Sequence, residues 1–268
     1  LMLAVLARLA EPDRAGFDEA QHERVRLGMH GMLGLFEAGY GSANAEQHAQ
    51  QLERSRELRV NAWRMRAILQ LAIGDINEAS RCRRRAELLQ LQEGLKERYV
   101  NTTTGLELLQ HGRLGDLLAV KSQLPRLAQL AALYPGWRAV GLLGRCRYSE
   151  LQGDLPAALE LAQQGLREAR PGENPFYAAL AGAHVSVLLQ LGREAEACLL
   201  ARHYLKICTE QELNAPDLAF AAAESLSRVG EHAEAVSVLE PHLEAVESFG
   251  CMGVTAARAN EVRARIAP

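Results

Sequence analysis

The chain has 268 residues, a formal net charge of −3 and a sequence pI near 6.3. That near-neutral balance argues against a general nucleic-acid binder, which carries a clearly basic domain. The longest apolar runs, Leu1–Ala7 and Leu27–Phe36, are far shorter than the ~20 residues a membrane-spanning helix needs, so no membrane partner is expected.

Hydrophobic residues make up 48% of the chain, mostly Leu and Ala, and aromatics only 5%. Leu and Ala suit helix–helix contacts at low side-chain entropy cost. No stretch is rich in the β-branched and aromatic residues that strands favour, so an all-α class is predicted.

In chain order, residues 1–10 read as the end of a helix stopped by Glu11-Pro12. They lack a charged leading region and a clear cleavage site, and are not read as a signal peptide. The chain starts at Leu1, without an initiator Met, and is read as a piece of something larger. Asp18–Ala38 is the next helical stretch. Its Gly28, Gly31 and Gly34 share one side, and Gly costs ~1 kcal/mol against Ala inside a helix, so very close packing is expected there. A flexible or ligand-facing helix is the alternative. Ser42 can cap a helix running to about residue 58.

Helix pairs then follow at 60–73 with 76–93, 96–111 with 114–132, and 137–152 with 155–169. After the loop Pro171-Gly172-Glu173-Asn174-Pro175 come 176–191 with 194–212 and 216–229 with 232–248. Pro156, Pro175, Pro216 and Pro241 mostly sit near predicted helix starts, where a missing N–H is tolerated. Pro125 lies inside a helical stretch and predicts a kink or break. Residues 250–268 give a final helix with Arg258, Arg263 and Arg265 facing water, as a terminal cap should. No linker divides the chain. One domain over residues 1–268 is predicted, with about six helix pairs and a C-terminal capping helix.

A short turn recurs at Gly74-Asp75, Gly112-Arg113, Gly153-Asp154, Gly192-Arg193 and Gly230-Glu231, with 38, 41, 39 and 38 residues between the glycines. An earlier break, Gly39-Tyr40-Gly41, sits about one period before Gly74. Gly ends a helix in the left-handed conformation without a Cβ penalty. Five residues after the glycine stand Ala79, Ala158, Ala197 and Ala235, small enough to let the two helices of a pair cross closely. Leu88, Leu127, Leu166, Leu205 and Leu243 follow as a predicted core stripe. No such unit buries its apolar face alone, so neighbours must stack.

These residues resemble the tetratricopeptide repeat family. Trp63, Ala67, Gly74, Ala79 and Ala86 match its consensus in the second unit, Gly192, Ala197 and Ala201 in the fifth, and Ala223, Gly230 and Ala235 in the last. The third unit departs, with Leu117 in the alanine place, though Gly105 keeps the small residue of its first helix. Units of 38–41 residues exceed the family's usual ~34. They look like the helical sensor regions of large bacterial signalling proteins and the repeat regions attached to some bacterial kinases and ATPases.

The resemblance implies an α-α superhelix whose first helices line a concave groove for a peptide or protein segment. Counting back from each glycine, the groove-facing places are Asn61 and Arg64, Tyr99 and Thr102, Arg147 and Glu150, Ser186, then Asp217, Phe220 and Glu224. Asn61 and Arg64 fall where the family often presents a backbone-clamping Asn and a carboxylate-binding basic residue. The series shifts from basic-polar to acidic, which could orient an extended segment. Simple solvation of each residue is the alternative.

Local catalytic and metal signals are missing from the sequence. The eight histidines form no H-E-x-x-H or other i, i+4 ligand pair, and no phosphate-loop, nucleophile-elbow or dinucleotide fingerprint occurs. No catalysis, cofactor or metal is expected. The five cysteines are far apart with no C-x-x-C, which fits reduced, buried thiols and a cytoplasmic setting. Arg81-Cys82-Arg83-Arg84-Arg85 is the one dense basic run, read as a phosphate or acidic-partner clamp or as a solvated face relieved by Glu78 and Glu87. The expected function is a non-catalytic interaction scaffold for a protein or peptide, or other domains of its own parent chain. The alternative is a ligand-sensing regulatory domain of a multidomain kinase, ATPase or transcription regulator.

Overall fold

A computed structural model describes residues 18–94, 100–248 and 250–266. Among them the fold is all-α, with thirteen α-helices, and within each compact unit helices pack on near neighbours in the chain. The helices are α1 (Glu19–Gly39), α2 (Asn44–Glu53), α3 (Arg59–Ile73), α4 (Ile76–Glu93) and α5 (Val100–Arg113). They continue as α6 (Leu117–Leu133), α7 (Arg138–Leu151), α8 (Leu155–Glu168), α9 (Tyr177–Gln190) and α10 (Glu194–Glu210). Last come α11 (Pro216–Arg228), α12 (His232–Ser248) and α13 (Val254–Ile266). The chain forms two compact units: residues 1–110 with 248–255, and residues 111–247 with 256–268.

One turn geometry builds the hairpins. Gly41, Gly74, Gly115, Gly153, Gly192 and Gly230 all have φ between 69° and 89°. After each, the next backbone N–H bonds a carbonyl five residues back, as in Asp75 N to Gln70 O at 2.8 Å and Glu231 N to Leu226 O at 2.9 Å. This is the left-handed helix stop that only Gly adopts without strain. At three turns the following Asp then caps the second helix. Asp75, Asp116 and Asp154 accept from the N–H groups of Glu78, Ala119 and Ala157.

This corrects the third hairpin. Gly112 lies within α5, and the turn is Gly115-Asp116, where the Asp116 N–H donates to His111 O in the same bond at 2.9 Å. The alanine place there is Val120, fully buried like Ala79, Ala158, Ala197 and Ala235. The leucine stripe also moves, since Leu88 is 47% exposed. Ala86, two residues before Leu88, is buried, as are Gly165 and Tyr204, one residue before Leu166 and Leu205, with Leu127 already in that corrected register. Two helix bounds differ as well. α2 ends at Glu53 and gives way to a 3-10 turn at Arg56–Leu58. Ser42 accepts from Asn44 N at 3.3 Å, but Ala43 holds the cap position.

In the first unit, α1, α2 and α3 close around Leu35, Ala45, Leu52, Met65 and Ile68. Gly34 meets the expected tight approach: a Cβ there would lie 2.6 Å from His48 Cβ and from Met65. Gly28 does not, having nothing within 4 Å. Residues 250–253 pack onto the same unit, with Met252 N bonding Gly41 O at 3.1 Å and Gly253 seated against the backbone of Ala72 and Ile73. In the second unit, α10, α11, α12 and α13 share a core of Cys198, Phe220, Leu226, Leu239 and Val262. No helix among the described residues is long and apolar enough to cross a membrane.

Candidate functional site

The predicted groove residues separate into three groups. Asn61 and Phe220 are 2% and 4% exposed and belong to the interior, and Phe220 packs with Cys198 and Ala223. Arg64, Thr102 and Ser186 are half-buried. Tyr99 lies outside the described residues. The remaining four, Arg147, Glu150, Asp217 and Glu224, all fall in the second unit and each carries an ion pair.

Their burial follows from the helices that hold them. α9 and α11 are buried almost all round. On α9 only Ser186 and Gln190 are not fully buried, and on α11 the exceptions are Asp217, Ser227 and Arg228. An open groove along the full length of these two first helices is therefore not what the second unit presents. At the start of α11, Asp217 takes a two-point contact from Arg113, at 3.1 and 2.7 Å. Burial pushes the Asp217 carboxyl up, but the Arg113 and Arg147 guanidiniums outweigh it and hold the group below the usual carboxylate range. Arg147 donates to Glu150 at 2.6 Å. Burial works against its charge too, and the Glu150 carboxylate more than offsets that.

Polar groups converge at the ends of the first helices. Gln190, ending α9, donates to Glu150, near the end of α7, at 2.6 Å. Arg228, ending α11, donates to Leu189 O of α9 at 3.3 Å and to Glu224 at 2.9 Å. Glu224 also accepts from Arg258 and Arg265 of α13 at 3.0 and 2.9 Å. The last turns of α7, α9, α11 and α13 thus form one continuous polar rim. Beside it Glu224, Ser227, Arg228, Arg265 and Ile266 line an open cleft of about 340 Å³. The acidic end expected at Asp217 and Glu224 is in fact neutralised by arginines. Arg258 and Arg265 do not simply face water, because both reach back onto Glu224.

Other clusters serve structure. The basic run on α4 has Arg81, Arg84 and Arg85 exposed, with Arg81 paired to Glu78 at 2.8 Å, so it forms an outer face. On the first unit, Arg66 bridges Glu46 and Glu53 and lies over the Trp63 ring. His30 and His48 meet Nδ1 to Nδ1 at 2.7 Å, with Glu37 3.3 Å beyond His48. Sequence reasoning missed that pair because its members lie on different helices. Among the described residues, no three His, Cys, Asp or Glu side chains are placed to hold a metal ion. Cys82, Cys146, Cys198 and Cys208 are buried free thiols. Burial pushes Cys146 up to about 12 and Cys82 up to about 11. Comparisons with protein-family models, with curated proteins and with solved structures give no match.

Proposed function

We propose that this chain is a non-catalytic interaction module of the tetratricopeptide kind, which binds a protein or peptide segment along the rim of its second unit. The observation that carries this reading is the rim itself. Near the ends of four alternate helices, Gln190 of α9 donates to Glu150 of α7, Arg228 of α11 donates to the Leu189 carbonyl of α9, and Arg228 and Arg265 of α13 meet on Glu224. A repeating hairpin presents the same edge again and again, and such edges suit an extended segment better than a compact substrate. Rim guanidiniums and amides can donate to backbone carbonyls and acidic side chains of that segment.

A second reading, a ligand-sensing regulatory domain, is favoured by the cleft. Its volume of about 340 Å³ lies within the ~300–1,000 Å³ of small-molecule sites.

Selection of a random peptide library against the immobilised chain tests the first reading. One enriched motif is expected, whose synthetic peptide binds 1:1 and loses at least ~10-fold in affinity, about 1.4 kcal/mol, with Gln190→Ala/Arg228→Ala. Arg84→Ala/Arg85→Ala on the outer face of α4 should leave that affinity unchanged. Selection with no enriched motif, or a peptide indifferent to the rim variant, contradicts the proposal.

A further inference from the structure

Three guanidiniums from two helices close on a single carboxylate at one end of the rim. Glu224 Oε1 accepts from Arg228 and Arg265, and Oε2 accepts from Arg258, all within 3.0 Å. The Glu224 side chain is 10% exposed, whereas those of Arg228, Arg258 and Arg265 are 40%, 37% and 50% exposed. The acid is buried and its partners face water. Glu261 takes a share of Arg258 and Arg265, and Glu194 stands 3.7 Å from Arg228. These contacts use the terminal nitrogens. Among the described residues, the Nε–H groups of all three arginines have no protein partner. Ser227 adds a hydroxyl to the cleft wall, and Ile266 an apolar side.

Stability alone does not call for this arrangement. Glu224 alone takes all three guanidiniums, with Glu261 and Glu194 as further partners, and exposed ion pairs contribute only ~0–1 kcal/mol each. Two of these planar forks, on Arg228 and Arg265, line the open cleft, and such forks match an anion with three terminal oxygens and a charge near −2, which Arg binds at two points.

We infer that the cleft between α11 and α13 binds a phosphate monoester group, with Glu224 acting as an internal anion that keeps the three arginines converged while the site is empty. The assignment rests on the rim being a recognition surface. The phosphate can sit on a small metabolite or on a phosphorylated side chain. Arg228 and Arg265 contact its oxygens, Arg258 holds Glu224, and the Ser227 hydroxyl donates to the phosphate.

Calorimetric titration of the full chain at low salt separates these sources. Its probes are inorganic phosphate, a phosphoserine peptide with neutral flanks, and the unphosphorylated twin of that peptide. Saturable phosphate binding is expected in the wild type. It should weaken at least tenfold in Arg265→Gln, a half-exposed change whose folding circular dichroism confirms. In Glu224→Gln it should tighten severalfold, because the competing carboxylate is gone. No binding in either wild type or Glu224→Gln, or equal binding by folded Arg265→Gln, overturns the assignment. Tighter binding of the phosphopeptide than of phosphate and of the unphosphorylated twin identifies a peptide-borne group. Arg265-dependent phosphate binding with no gain from the peptide upholds the cleft and assigns it to a small phosphorylated metabolite. A library-selected peptide that depends on Gln190 and Arg228, beside no phosphate binding by the wild type or Glu224→Gln, upholds the rim and removes the cleft assignment.

Discussion

At Gly182, α9 approaches α11 so closely that a Cβ would lie 2.9 Å from backbone atoms of Asp217 and Leu218. Backbone cannot step aside as a flexible side chain can, so Gly182→Ala should destabilise by about 2–3 kcal/mol. Gly28 is the control: it sits inside α1 with nothing within 4 Å of its missing Cβ, and Gly28→Ala should stabilise by about 0.5–1 kcal/mol. Thermal melts that shift the two variants in the same direction would contradict the contact geometry.

The Asp217–Arg113 pair adds a pH signature. A carboxyl whose folded pKa is depressed stabilises above its unfolded pKa, and that stability is lost as pH falls through the folded value. Both side chains are 15–20% exposed, so breaking the pair should cost less than the ~3–5 kcal/mol of a fully buried one. Asp217→Asn should lower urea stability at pH 7 by about 2–3 kcal/mol. That deficit should shrink below about pH 4, where the wild type loses its own carboxylate charge. A deficit unchanged from pH 7 to pH 3 would show that the pair does not carry the effect. The sequence placed Asp217 on the groove face, open to a partner. It gave no sign of Arg113, which lies three hairpins earlier in the chain.

Among the elements, α6 departs from simple propensity. Pro125 sits inside it, yet the helix runs from Leu117 to Leu133, so of the kink or break expected there the break is absent. The residue is exposed, and the buried Leu127 and Leu130 beyond it anchor the second half of the helix to its neighbour. Packing therefore outweighs the lost hydrogen bond and the ring's clash with the preceding turn. Pro125→Ala should restore one bond at little packing cost and stabilise by about 1–3 kcal/mol, read as a higher urea midpoint with an unchanged slope. Pro241 lies well inside α12, not near its start, for a similar reason: Leu239 and Leu243 hold that stretch against α11 and α13.

Hairpin boundaries were legible because a Gly stop and an Asp cap are local signals. Where two glycines compete, as at Gly112 and Gly115, the Asp beside the second is the cue that decides, repeating Gly74-Asp75 and Gly153-Asp154. The core stripe slipped because Leu is common on every face of these helices. Apolar identity alone could not separate Leu88, which is exposed, from Ala86, which is buried.

At the scale of the whole molecule, fold class was readable and the binding surface only partly so. Composition and period lead to consecutive helical hairpins. Assigning a groove to every first helix assumed that each keeps one polar face. α9 and α11 do not: Tyr177–Leu189 and Leu218–Leu226 are apolar or small almost all round, the pattern of helices buried on every side. What remains open is their ends, where Gln190, Arg228 and Arg265 gather. The Arg258–Glu261–Arg265 spacing on α13 was the available cue, since residues three and four apart share a helix face.

The most direct test of the rim reading is hydrogen–deuterium exchange of the full chain with and without a saturating library-selected peptide. Slowed exchange is expected in the last turns of α7, α9 and α11, at the adjoining turns, and in α13. Protection confined to the outer helices α4, α6 and α8, with the rim unchanged, would contradict it.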